Sequence, residues 1–178
     1  MSDRNHFAVS DGYPLVGCRC GLYTPQRRTC YNGIPIFSIF SILQTRLMNQ
    51  SKREYFDKQV EWVLARLPQN MLHLLKEAPL HVEDQPSKRL MRELEIDDAE
   101  ELCGYFRGVP TNTNLFRDYM PTPSSVTIFR RGIVTAARDE EGIIRRNELR
   151  EQIRITILHE LAHMLGMDEQ EVEEIGYG

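Results

Sequence analysis

The spacing of apolar residues predicts helices and short strands along most of the chain. Between residues 52 and 67, apolar side chains recur at helical spacing, with Ser51 as a candidate N-cap and Pro68 after the last turn. Several shorter runs are bounded by proline or glycine, as strands and short helices commonly are. We predict strands at 80–84, 103–110 and 125–130, short helices at 71–75, 133–138 and 169–175, and a long helix that ends at Leu165. These elements predict an α+β fold, in which a small mixed sheet packs against a buried helix.

The long helix is apolar on nearly every side, which is typical of a buried helix. Its apolar residues near the end are Ile153, Ile155, Ile157, Leu158, Leu161, Ala162, Met164 and Leu165. Its polar residues fall on one stripe at spacings of four, four, three and four: Glu148, Gln152, Thr156, His159 and His163. Ionisable groups in a buried helix need partners, and a metal ion would supply one. Gly166 follows the helix and favours the left-handed conformation that ends many helices.

Two residues of the stripe, His159 and His163, form the pattern H-E-x-x-H together with Glu160. Residues four apart lie one helical turn above each other, so the two imidazoles can point at one metal ion. Zinc accepts such ligands at roughly 2.1 Å, so we expect the two Nε2 atoms to lie about 3–3.5 Å apart or slightly wider. Glu160 lies beside this point and is placed to take a proton from a metal-activated water.

A third ligand should come from the acidic segment after Gly166. Asp168, Glu169 and Glu171 are the candidates for this position. We predict Glu169, because it stands where the pattern H-E-x-x-H-x-x-G-x-x-H has its third histidine and because its side chain is longer than that of Asp168. Asp168 and Glu171 remain the alternatives.

Composition limits the function classes. The 178 residues are 41% hydrophobic and 27% charged, which is close to the norm for one globular domain. The formal net charge is −4, and residues 48–178 carry 24 acids against 17 bases. The net negative charge of residues 48–178 argues against a nucleic-acid backbone as the main partner. No apolar run reaches the roughly 20 residues that span a bilayer, so we expect no membrane partner.

Residues 1–47 differ from the remainder of the chain. They contain five arginines and two aspartates but no lysine and no glutamate. We interpret them as an atypical N-terminal extension, disordered or included by a mis-assigned start codon, with the functional domain at 48–178. A chain that begins at Met48 should therefore fold, bind zinc and melt like the full chain.

The distribution of cysteines and the N-terminal sequence indicate the cellular compartment of the protein. Three of the four cysteines fall within the first 30 residues and only Cys103 lies in the body, which predicts no disulfide framework. We expect no ordinary signal peptide. We expect a cytoplasmic protein with reduced cysteines.

The order of the segments resembles a family of small, single-domain bacterial zincin-like metallopeptidases. The similarity covers about residues 52–178 and is strongest in the H-E-x-x-H-x-x-G segment. The segments that carry it are FDKQVEWVLARLP, PLHVEDQP, CGYFRGVP, VTIFRR and ILHELAHMLGMDEQEVEEIGYG. The resemblance implies a zincin-like fold, with His159 and His163 as metal ligands and Glu160 as the catalytic carboxylate. The chain ends nine residues after Glu169, so it has no room for the Met-turn of metzincins.

The function that the sequence predicts is zinc-dependent hydrolysis of peptide bonds, with Glu160 as the general base. We expect short or unfolded peptide substrates, held against an edge strand at Val126 to Arg130. One alternative is a zinc-binding interaction module without peptidase activity. A second is a metal-dependent endoribonuclease with a histidine-rich helix, against which the acidic body and Glu160 argue. The oligomeric state does not follow from the sequence.

Overall fold

The computed structural model describes residues 48–111 and 123–177, together with the backbone of residues 9–10, 13–14 and 16–19. The elements alternate as the sequence predicts, and the α+β fold class is confirmed. The strands are β1 (Val9–Ser10), β2 (Tyr13–Pro14), β3 (Val16–Arg19), β4 (Leu80–Glu83), β5 (Leu102–Arg107) and β6 (Ser125–Phe129). The helices are α1 (Gln50–Leu64), α2 (Gln69–Glu77), α3 (Lys88–Glu93), α4 (Arg130–Ala136), α5 (Arg146–Leu165) and α6 (Glu169–Glu174). A short 3-10 helix, Ala99–Glu101, precedes β5.

The main sheet has four strands in the order β3-β5-β6-β4 and is mixed. β5 pairs antiparallel with both β3 and β6, whereas β4 runs parallel to β6. β6 is thus an inner strand with a partner on each side. The expectation that the strand at Val126 to Arg130 offers a free edge to a peptide is therefore wrong, because β4 returns to pair with it from more than 40 residues earlier in the chain.

Helix α5 crosses one face of the sheet and forms the centre of the main core. Its residues Ile153, Ile157 and Leu161 are almost completely buried. They pack with Phe56 and Val60 of α1 and with apolar side chains of the sheet, which explains the apolar character of α5 on nearly all sides. A smaller cluster consists of Ile96, Leu102, Tyr105 and Phe129. The predicted buried helix is confirmed, and its C-terminal half is enclosed by protein.

A buried arginine connects three segments at the junction of β6 and α4. Arg130 donates to Asp57 of α1 at 2.6 Å and to Asp84, just after β4, at 3.1 Å. The same guanidinium donates to the carbonyl of Val82 at 3.3 Å. Because the Arg130 side chain is only 11% exposed, these bonds compensate for the cost of removing its charge from water. Arg130 thereby fixes the start of α4 against α1 and β4.

The domain boundary at residue 48 stays a prediction, and strand β3 bears on it. Val16–Arg19 belongs to the predicted extension, and its backbone pairs with β5 from Val16 opposite Phe106 to Arg19 opposite Leu102. Thermal unfolding of a chain that begins at Met48, measured beside the full chain, tests the boundary. Equal melting temperatures are expected for a dispensable extension, whereas a loss of several kcal/mol would make β3 part of the core.

Cys103 departs from the expectation of reduced cysteines. It is fully buried in β5 and forms a disulfide whose partner lies outside the described side chains. The distribution of cysteines along the chain does not reveal this bond. Among the helices of the described residues, none has the length and apolar character needed to cross a membrane.

Candidate metal centre

The predicted site lies in the last three turns of α5. Every residue from Thr156 to Met164 is buried, including His159 and His163 at 2% exposure each and Glu160 at 0%. Gly166 ends the helix with φ +89°, the left-handed conformation that its position predicted. The turn directs the chain back across the end of α5, so that α6 begins beside the two histidines.

His159 and His163 converge, as their spacing of four predicts. Their Nε2 atoms are 2.8 Å apart, and the two rings meet edge to face with centroids 4.6 Å apart. The expected separation of about 3–3.5 Å is wrong, because this edge-to-face arrangement brings the nitrogens to hydrogen-bonding distance. The rings would have to separate by roughly half an ångström to share a tetrahedral zinc ion.

The other nitrogen of each ring is held by a backbone carbonyl. His159 Nδ1 lies 2.7 Å from the carbonyl oxygen of Tyr177, and His163 Nδ1 lies 3.0 Å from that of Met167. A carbonyl oxygen only accepts hydrogen bonds, so each Nδ1 must carry the proton. Each neutral ring then keeps a lone pair on Nε2, which is the form in which histidine binds a metal.

Glu169, the first residue of α6, completes a group of three acceptors. Its carboxylate oxygens lie 3.5 Å from His159 Nε2 and 3.3 Å from His163 Nε2. Burial alone would raise the pKa of Glu169, but hydrogen bonds and charge interactions with His159 and His163, which need a proton on Nε2, lower that pKa to about 2. A glutamate of ordinary or lowered pKa is ionised throughout the pH range in which imidazoles are neutral.

These three side chains fit a zinc ion. One ligand atom from each of His159, His163 and Glu169 lies within 4.8 Å of the other two. Two lone pairs and a carboxylate that face one another repel unless a proton or a cation lies between them. Two imidazoles and one carboxylate are also a common ligand set of catalytic zinc, which leaves a fourth position for water or substrate.

The two alternative third ligands are engaged with each other. The Asp168 side chain accepts from the backbone N–H of Glu171 at 2.9 Å, and the Glu171 side chain accepts from the N–H of Asp168 at 2.9 Å. This capping box begins α6 and satisfies two backbone donors at its N-terminus. Both carboxylates therefore stabilise the short helix that presents Glu169 to the histidines.

Replacing Glu169 by alanine should weaken zinc binding more than any other single change among the acids of this segment. We expect a loss greater than the roughly 10–100-fold that follows removal of a group that only orients a metal ligand, because Glu169 is predicted to bind the ion directly. Asp168→Ala should lower the affinity for Zn²⁺ by less, because it removes only the N-cap of α6. Glu173→Ala, on the exposed side of α6, should leave the affinity unchanged. Titration of Zn²⁺ against a competing chelator measures all three. A larger loss in Asp168→Ala than in Glu169→Ala would contradict this ligand choice.

Glu160 lies between the helix and the sheet, against a glycine of β5. A Cβ atom at Gly104 would lie 2.6 Å from Glu160 Oε1 and 2.7 Å from the methyl group of Thr156. Only glycine at position 104 leaves room for the Glu160 carboxylate in this place. Thr156 donates its hydroxyl to the Gln152 carbonyl at 2.8 Å and so presents its methyl group toward β5.

Sequence reasoning missed Gly104 and the carbonyls of Met167 and Tyr177. The structure places the Tyr177 carbonyl on His159 and packs the Tyr177 ring against the core. No residue type marks a backbone carbonyl as a hydrogen-bond acceptor for histidine. The signals that could have pointed to these turns are the glycines before them, Gly166 and Gly176.

The family comparison agrees with this geometry. The model of the zincin-like metallopeptidases matches residues 75–178, so the chain belongs to that family. The matched region contains β4, β5, β6, all of α5 and the C-terminal segment with Glu169. No curated protein matches the chain.

Proposed function

We propose that this protein is a zinc-dependent peptidase in which His159, His163 and Glu169 bind the metal and Glu160 is the general base. The observation that carries the proposal is that two imidazole nitrogens of the buried helix α5 and one carboxylate of α6 lie within 4.8 Å of one another, in a member of a zincin-like family. With the proton of each ring on Nδ1, both Nε2 lone pairs face the Glu169 carboxylate, and this arrangement favours a cation.

Each residue has a separate task in this proposal. The carbonyls on Nδ1 keep His159 and His163 in the tautomer that binds through Nε2. Zinc, when bound, supplies Lewis acidity, which lowers the pKa of a coordinated water toward roughly 7 and polarises the scissile carbonyl. Glu160 accepts the proton of the attacking water and returns it to the leaving amine. Its burial against Gly104 limits the rotamers of the carboxylate and shields it from bulk water.

The substrate class follows from the expected reaction and from the small size of the domain. We propose short peptides or unfolded protein segments as the substrates. The net charge of −7 over residues 48–178 disfavours nucleic acid.

The decisive experiment combines metal content with peptide cleavage. Protein purified without added metal should contain close to one zinc per chain, and His159→Ala should lose it, because one imidazole ligand is removed. The native protein should cleave peptides of a quenched fluorescent library. A chelator should inhibit this cleavage, and added Zn²⁺ should restore it. Stoichiometric zinc in His159→Ala would contradict the ligand assignment.

The same experiment separates the alternatives. Zinc binding without cleavage of any library peptide would favour a zinc-binding interaction module. Cleavage of a labelled RNA that depends on the metal and not on Glu160 would favour an endoribonuclease. Peptide cleavage that survives complete metal removal would refute a zinc peptidase.

A further inference from the structure

Two glycine turns near the site share one hydrogen-bond pattern. After α5, the N–H of Gly166 donates to the backbone carbonyl of His163 at 3.0 Å, and the N–H of Met167 donates to the backbone carbonyl of Ala162 at 3.1 Å. After α6, the N–H of Gly176 donates to the Glu173 carbonyl at 2.9 Å, and the N–H of Tyr177 donates to the Val172 carbonyl at 3.1 Å.

Both turns are Schellman motifs, which end a helix with a left-handed residue. Gly166 has φ +89° and Gly176 has φ +84°, a region in which other residue types are strained. In each turn the residue after the glycine directs its carbonyl at the Nδ1 of one histidine, Met167 at His163 and Tyr177 at His159.

We propose that the turn at Gly176 and Tyr177 is a positioning element for the metal centre. By accepting the Nδ1 proton, the Tyr177 carbonyl fixes the tautomer and the ring orientation of His159 and so raises its affinity for zinc. The inference rests on the proposed function, because it assigns the turn a role in that same site. It extends the site from Glu169 to Tyr177, eight residues further along the chain.

The turn is held in place by contacts of its own. Val172 on α6 is fully buried, and the Tyr177 side chain packs against the main core. The guanidinium of Arg154 on α5 lies 5.7 Å from the centre of the Tyr177 ring. α6 thus contributes to the metal centre at both ends, with the Glu169 carboxylate before it and the Tyr177 carbonyl after it.

The expected loss of zinc affinity can be judged from other groups that accept a hydrogen bond from a metal-binding histidine. Their removal usually costs 10–100-fold in metal affinity, because the ring is no longer held in one orientation. The contribution comes from the Tyr177 backbone carbonyl, so only a variant that disturbs the turn itself can remove it.

Proline at position 176 tests the proposal, and proline at position 142 provides a matched control. Both glycines have positive φ, +84° and +78°, and both donate their N–H to a carbonyl three residues earlier at 2.9 Å. A Cβ at either position would meet no atom within 4 Å. Proline removes the N–H and forbids the positive φ in both turns, so the local damage is equal. Gly142 lies in the turn between α4 and α5, away from the histidines.

We expect Gly176→Pro to lower the affinity for Zn²⁺ by 10–100-fold in competition with a chromophoric chelator, whereas Gly142→Pro keeps the native affinity. Gly176→Ala, which retains the N–H and strains only φ, should lose several-fold and serves if the proline variant does not fold. Equal zinc affinities in Gly176→Pro and Gly142→Pro would overturn the proposal.

A second readout needs no metal. In the metal-free native protein, the ¹⁵N chemical shifts of His159 and His163 should show the proton on Nδ1 in both rings. In Gly176→Pro, His159 should populate both tautomers while His163 keeps its proton on Nδ1. An unchanged His159 in that variant would also overturn the inference. If the native protein bound no Zn²⁺, the proposed function would fail, and the tautomer of His159 alone would decide the role of the turn.

Discussion

Replacing Glu160 by glutamine should lower kcat/KM for peptide cleavage by a factor of roughly 10²–10⁴, the usual contribution of a positioned general base. Glutamine has the shape of glutamate but cannot accept the proton of the attacking water. It fits between Gly104 and Thr156 without a change in volume, so the fold and the zinc content should remain native. Steady-state cleavage of the best library peptide, measured beside elemental zinc content, gives the result.

The matched control is Glu173→Gln, which neutralises an exposed acid on α6 near the site. It should leave both kcat/KM and zinc content unchanged, because Glu173 touches neither histidine in the structure. If Glu160→Gln retained native activity with full zinc, the proton acceptor would be another group, and Glu160 would be only a buried structural residue.

Gly132→Ala should destabilise the protein by about 3 kcal/mol or more, or prevent folding. Gly132 lies in α4, where that helix packs directly on β5. A Cβ there would lie 2.0 Å from the Leu102 carbonyl oxygen and 2.6 Å from its carbon. These are backbone atoms, so α4 as a whole would have to move off the sheet. The gain of about 1 kcal/mol in helix propensity is too small to offset that displacement.

Urea unfolding followed by circular dichroism measures the change. Gly142→Ala is the comparison, because its Cβ meets no atom within 4 Å and only the positive φ is strained, at about 1–2 kcal/mol. A Gly132→Ala variant as stable as Gly142→Ala would show that α4 and β5 can separate at little cost.

The sequence predicts the elements well because their signals are local. Apolar spacing gives α5, and the alternation between proline and glycine boundaries gives β4 and β6 within one or two residues. The order of strands in the sheet is not local. β6 is an inner strand because β4 joins it in parallel from a distant part of the chain, and the apolar pattern of β6 is the same for an inner strand and for an edge.

In the candidate site too, local sequence signals predict some features, whereas others depend on how distant parts of the chain pack. Helical spacing places His159 and His163 together, and Gly166 marks the turn that brings back Glu169. The place of Glu160 against Gly104 depends on how closely α5 approaches β5, and nothing distinguishes Gly104 in the sequence from the other glycines. The carbonyls on the two Nδ1 atoms are backbone groups, so their role depends on the turn geometry and not on the side chains of Met167 and Tyr177.

Strand β3 has a further consequence for any peptide that would extend the sheet beside Glu160. Its backbone at Cys18 lies opposite Gly104, the residue that touches the Glu160 carboxylate. A peptide that pairs with this edge of β5 must first displace β3. Because β3 belongs to the same chain, it competes as an intramolecular ligand, with an effective concentration on the order of millimolar. Peptides at micromolar concentration would lose that competition unless their own pairing with β5 were stronger by about 4 kcal/mol.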